Sequence, residues 1–147
     1  MQGELEDLLE EKNVDYKIIM FCKSMQSPLE IARALSIQTG QVITTLLIKN
    51  TSNNNYWGAV LAGGKNLKDF EYKNLEFNLG YDFDYDENTI TPIDIAELVQ
   101  KNIKSIMDNS LLLHDNICAI SSEGTCAYEF NPKDLYKLLS PILIGKL

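Results

Sequence analysis

With 147 residues, 45% of them hydrophobic and 23% charged, the chain suits one globular domain that builds its own core without staples. Its net charge of −8, with one arginine (Arg33) and twelve scattered lysines, works against a tight grip on DNA or any long nucleic acid, because that affinity comes from Lys and Arg on phosphates. No stretch reaches the ~18 apolar residues of a membrane span, so no membrane partner is expected, and Met1 to Asp7 lacks the basic and apolar regions of a secretory signal.

Glu4 to Lys12 carries Leu5, Leu8 and Leu9 at the spacing of one helical face, with acids in its first turns where the helix dipole favours them. Val14 to Cys22 reads as a strand. Ser27-Pro28-Leu29-Glu30 opens a helix: Ser27 caps, Pro28 suits the first helical position, and Glu30 completes a capping box. That helix is expected over Ser27–Ser36, with Gly40 closing the segment.

Val42 to Ile48 is a nearly continuous β-branched and apolar run, the pattern of a buried strand. Tyr56 to Ala62 is a second strand, and the two form a hairpin across the Asn-rich turn Thr51 to Asn55. Val42, Ile43, Leu46, Leu47, Val60 and Leu61 are the expected core. Asn66 to Leu79 reads as one or two short helices, Tyr81 to Glu87 as an acidic and aromatic run, and Ile93 to Val99 as a short helix or a loop.

Ile103 to Met107 reads as a strand and Ser110 to His114 as one helical turn. Ile117–Ser121 and Thr125–Phe130 form a second hairpin around Glu123-Gly124. Asn131-Pro132-Lys133-Asp134 repeats the cap, proline and acid pattern and opens a last helix with Leu135, Leu138 and Leu139 inward, limited by Pro141. Alternating hairpins and helices predict an α+β domain: a mixed, mostly antiparallel β-sheet with helices packed on it.

This order resembles the YbaK/prolyl-tRNA-synthetase-associated domain family. Leu29 to Leu35 followed by Gln41 to Leu47 is similar to the family's helix and first long strand, and Trp57 to Gly64 to its second strand. Thr89-Ile90-Thr91-Pro92 resembles the end of its glycine-to-proline substrate loop. Ile106 to Leu111 matches its strand-Asp-x-x-Leu segment, and Thr125 to Leu135 its last strand and helix. The resemblance covers about residues 4–139, and order and spacing carry it rather than any one motif.

The resemblance implies hydrolysis, in trans, of the ester between a wrong amino acid and its tRNA, a proofreading step of translation in the cytoplasm. It implies no metal and no organic cofactor. The implied partner is the acceptor end of an aminoacyl-tRNA, a short contact that involves few phosphates. The family's catalytic lysine falls on Thr44, which has a hydroxyl and no charge. Lys49 and Lys65 are the nearby candidates to replace it. The substrate-binding positions implied are Ala62, Gly63, Asn88, Thr91, Pro92 and Asp108, with Asn88 where the family's loop glycine stands. Thr44, Ala62, Gly63, Asn88, Pro92 and Asp108 are expected to line one concavity. Without the lysine, a second reading stays open: a binding module of the same fold that has lost hydrolysis.

Other chemistry is weakly signalled. The cysteines Cys22, Cys118 and Cys126 are odd in number and widely spaced, which favours free thiols in a reducing compartment. His114, the single histidine, has no neighbours at metal spacing, and His114-Asp115 reads first as a surface turn. Asp82, Asp84, Asp86 and Glu87 lack the central glycine and distal glutamate of a calcium loop and read as a solvated strand edge. Gly63-Gly64-Lys65 lacks the spacing of a phosphate-binding loop. Asp108 has two readings, a pocket-shaping residue or a cap on the turn that follows it.

Overall fold

The computed structural model describes residues 4–25, 27–50, 56–63, 88–121, 123–141 and 143–145. Lys65, the Asn66–Leu79 segment and the Tyr81–Glu87 run lie outside the described residues.

Helix α1 (Glu4–Glu11) buries Leu5, Leu8 and Leu9 and ends where Asn13 takes a left-handed φ of 57°, a conformation that Asn tolerates. Strand β1 (Tyr16–Met20) follows. Helix α2 (Pro28–Leu35) starts as its sequence requires: the Ser27 Oγ accepts from the Glu30 N–H at 3.1 Å, satisfying one of the orphan donors of the first turn. A 3₁₀ turn, Thr39–Gln41, leads into β2 (Ile43–Asn50), and β3 (Tyr56–Ala62) pairs with it antiparallel. Strand β4 (Asn88–Pro92), helix α3 (Ile95–Gln100), strand β5 (Ser105–Asp108) and a 3₁₀ turn, Asn109–Leu113, come next. Strands β6 (Ile117–Ile120) and β7 (Cys126–Phe130), helix α4 (Pro132–Leu139) and strand β8 (Leu143–Gly145) complete the order. Asn131 caps α4 by accepting from the Lys133 N–H at 2.9 Å.

The strands form two sheets, one in the order β1-β7-β6 and one in the order β4-β2-β3-β5-β8. Pairing is antiparallel except β3 with β5 and β5 with β8. A parallel bridge between Val42 and Cys118 joins the two sheets. Their shared core holds Ile43, Val60, Ala62 and Met107 from the large sheet and Ile117, Ala119, Tyr128 and Phe130 from the small one. Leucines of α1 and α4 and Ile95, Ala96 and Leu98 of α3 close it.

The expected core needs correction at two positions. Val42, Ile43, Val60 and Leu61 are buried, whereas Leu46 and Leu47 are only half-buried. Their strand β2 is bordered on one side by β4, the edge of that sheet among the described residues. The expected substrate-loop residues Thr89 to Pro92 are themselves strand, paired along β2 from Lys49 to Leu46. Pro92 ends that strand, where a missing N–H is tolerated. No described helix is long and apolar enough to cross a membrane.

Candidate functional site

Successive residues of a strand point to opposite faces, so the β2 register sorts the candidates. Thr44 stands opposite Leu61 on β3, and Leu46 stands opposite Pro92 on β4. Paired residues share a face, which puts Thr44, Leu46 and Pro92 together. Asp108 shares that face, since its neighbour Met107 pairs with Val60 on the other. From strand spacings, Pro92 lies about 7–8 Å diagonally from Thr44, and Asp108 about 10 Å away across β3.

Asp108 is fully buried. Its Oδ2 accepts from the Ala62 N–H at 3.2 Å, and its Oδ1 accepts from the Ser110 N–H at 3.0 Å and the Ser110 hydroxyl at 2.8 Å. The carboxylate therefore caps the Asn109–Leu113 turn and also fastens the end of β3. That end is crowded. A Cβ on Gly63 would lie 2.4 Å from the Thr39 carbonyl oxygen and 2.6 Å from that of Val42, so glycine is required for close backbone approach.

The remaining candidates do not gather at Thr44. Ala62 pairs with Ile43 and so has its side chain on the core face; only its N–H reaches Asp108. Thr91 pairs with Leu47 and lies on the face opposite Pro92. Asn88 pairs with Asn50, the far end of β2, roughly 20 Å along the strand from Thr44. Lys49 is an odd number of residues from Thr44, which puts it on the opposite face of β2, roughly 16 Å along the strand. Two described concavities lie on that opposite face. One, of about 170 Å³, is bounded by Ile43, Thr45, Ile95, Ala119, Ser121 and Tyr128, among others. The other, of about 290 Å³, has Leu47, Ile93 and Ile103 as its apolar floor and Lys49, Tyr56, Glu97 and Lys101 around it. Thr44 lines neither.

Sequence reasoning named Lys49 only for its nearness to Thr44 and did not group it with Tyr56, Glu97 and Lys101, its neighbours in the second concavity. Glu97 and Lys101 carry the i,i+4 spacing of a helical ion pair, and they form it. Tyr56 sits directly opposite Lys49 in the β2–β3 register.

Burial pushes the Cys118 thiol up to about 11, with the Glu129 carboxylate adding to it. The Tyr16 phenol is pushed up to about 12, first by desolvation and then by Glu10, to which its hydroxyl donates at 3.0 Å. Both groups are thereby kept neutral and are poor nucleophiles. Among the described residues, no group of three or more His, Cys, Asp or Glu is placed to hold a metal ion.

No family model matches the sequence, and no curated protein matches it. Solved structures do match. Hypothetical protein APE2540 is 13% identical with a TM-score of 0.68, over 97% of this chain and 98% of its own. A structure from work on epitope backbone grafting onto scaffold proteins is 14% identical with a TM-score of 0.72, over 98% of this chain and 94% of its own. A protein described as a "putative trans-editing enzyme for prolyl tRNA synthetase" is 14% identical with a TM-score of 0.65, over 95% of this chain and 92% of its own. At such identities the likeness is one of fold: the chain has the α+β fold of these proteins.

Proposed function

We propose that the chain is an aminoacyl-tRNA deacylase acting in trans, hydrolysing the ester of mischarged tRNA in the cytoplasm. One observation carries the reading: Thr44, Pro92 and Asp108 share one face of the large sheet, in a fold shared with the trans-editing protein described above. Ester hydrolysis develops negative charge on the carbonyl oxygen, and fixed donors aimed at that oxygen lower the barrier. Thr44 supplies a neutral hydroxyl donor at the position where the resemblance implies a lysine. Asp108, with Ala62 and Ser110 as its donors, holds the neighbouring strand end in place and is a positioning residue.

The neutral Thr44 favours a second reading, a non-catalytic module that binds the aminoacyl end. A hydroxyl cannot offset a developing charge as an ammonium does. Removing one preorganised donor of this kind typically lowers rate about 10²–10³-fold.

Single-turnover deacylation of tRNAs charged with alanine, serine, cysteine or proline separates the two readings, using wild type and Thr44→Lys at low salt. The deacylase reading expects a wild-type rate above background on at least one of them. It also expects a further rise of roughly 10–10²-fold in Thr44→Lys, because a charged donor then faces the ester. Background rates in both proteins would refute the deacylase and leave the binding module.

A further inference from the structure

The concavity around Lys49 lies on the face of β2 away from Thr44, and nothing in the hydrolytic reading uses it. Its composition is unusual for so acidic a chain. Two ammonium groups, Lys49 and Lys101, flank a tyrosine that is 50% exposed, over a floor of Leu47, Ile93 and Ile103. Lys49 and Tyr56 are paired across β2 and β3, so their side chains leave the sheet side by side. Lys101 comes from the C-terminal end of α3, where it hydrogen-bonds Glu97. That hydrogen bond, then the Glu97 charge, holds the ammonium protonated, and the Tyr56 phenol is close enough to add to the effect.

We infer that this concavity docks a single-stranded RNA end, with one base stacked on Tyr56 and neighbouring phosphates on Lys49 and Lys101. An exposed ring beside cations is the pairing that single-stranded nucleic acid uses, since every base has a π-face and every linkage a charge. A duplex offers the charges without a free base face. A net charge of −8 confines any such contact to a few phosphates, as a strand end provides. The choice of RNA rests on the proposed function, in which the occupant is the acceptor strand. Binding itself requires no hydrolysis.

The test is fluorescence anisotropy with a labelled short single-stranded RNA ending in CCA. Two phosphate contacts on a single strand give a salt slope of about −1.4, or roughly a 7-fold loss of affinity between about 50 and 200 mM salt. Tyr56→Ala is expected to weaken binding roughly 10-fold, and Tyr56→Phe to leave it nearly unchanged. Glu97→Gln is the sharper variant. It removes the carboxylate that competes for Lys101, so affinity should rise several-fold, an effect that loss of a structural ion pair would not produce. These side chains are at least partly exposed, and circular dichroism checks that each variant folds. Failure to bind at low salt, indifference to Tyr56→Ala, or equal affinity for the same RNA in duplex form would overturn the site. Binding without deacylation leaves it standing; deacylation without Tyr56-dependent binding sinks this site alone.

Discussion

Asp108 gives the most demanding test of how the candidate face is held together. Asp108→Ala removes at least three acceptor contacts at once. The Ser110 groups are only partly buried and can turn to water. The Ala62 N–H is buried with its residue 4% exposed, and an orphaned buried donor costs about 1–3 kcal/mol. Loss of the cap on the Asn109–Leu113 turn adds about 1 kcal/mol. Relief from holding a buried carboxylate offsets part of this, which leaves a net loss of about 2–3 kcal/mol. At about 2–4 °C per kcal/mol for a chain of this size, the melting temperature should fall by roughly 4–12 °C. Asp108→Asn should lose nearly as much. Its single carbonyl oxygen can serve Ser110 or Ala62, and its amide then points N–H at the other donor. Ser110→Ala, which loses only a hydroxyl bond, should lose about 1 kcal/mol. Urea denaturation of the three variants gives the comparison. An Asp108→Asn protein within about 0.5 kcal/mol of wild type would show that the carboxylate does not tie Ala62 to the turn.

Gly63→Ala should destabilise by at least about 2 kcal/mol, since its Cβ meets two backbone carbonyls that cannot swing aside; the shift in urea midpoint measures it. Gly58→Ala should lose less, because the three atoms nearest its Cβ all belong to the Leu98 side chain, which has rotamers to use, and none is backbone. Cys118 predicts a pH dependence. Its thiol stays protonated in the fold up to about 11 against a reference value of 9.0, so over that window the unfolded chain holds fewer protons and stability falls as pH rises. Urea titrations across the window should show a shallower fall in Cys118→Ala than in wild type, with Tyr16, whose phenol is also pushed up in the fold, adding the same fall to the upper end of both curves.

Much of the fold was legible because local chemistry and tertiary packing agree. Ser27-Pro28 and Asn131-Pro132 fix two helix starts by caps that are present as hydrogen bonds. Tyr56–Ala62 is a strand over the expected bounds, and Gly124 turns the second hairpin with a φ of 72° that suits glycine. The Ile93 to Val99 segment, which its sequence allows as a short helix or a loop, contains α3, which starts two residues after Ile93, with Asp94 at its N-cap position. Less legible was Asn88 to Pro92. Thr-Ile-Thr is good strand sequence, but whether it pairs is decided by β2, far away in the chain. Leu46 and Leu47 misled for a related reason. An apolar run does not reveal which of its neighbours is an edge strand. The candidate site was legible only in part, since the sequence names the residues while pairing register decides which of them share a face.

That register makes β2 a two-faced element, and the consequence bears on both readings of function. A lysine five positions along the strand is close in sequence yet faces away from Thr44, so proximity in the chain is no guide to replacement. The same alternation puts Lys49 next to Tyr56, where it faces the apolar floor rather than the Asp108 side. The edge strand β4 carries the alternation outward, with Thr91 turned to the Lys49 face and Pro92 to the Thr44 face. A flexible strand end that rests on Tyr56 would have to pass the edge of the sheet at β4 and cover roughly 16 Å along β2 to reach Thr44. On the proposed function, in which the neutral Thr44 meets the ester, the chain would draw its selectivity from holding the end of the RNA, and its chemistry from how accurately that end is placed. On this argument, changes at Tyr56 or Glu97 should alter how often the ester arrives, and Thr44→Lys should alter what happens once it has arrived.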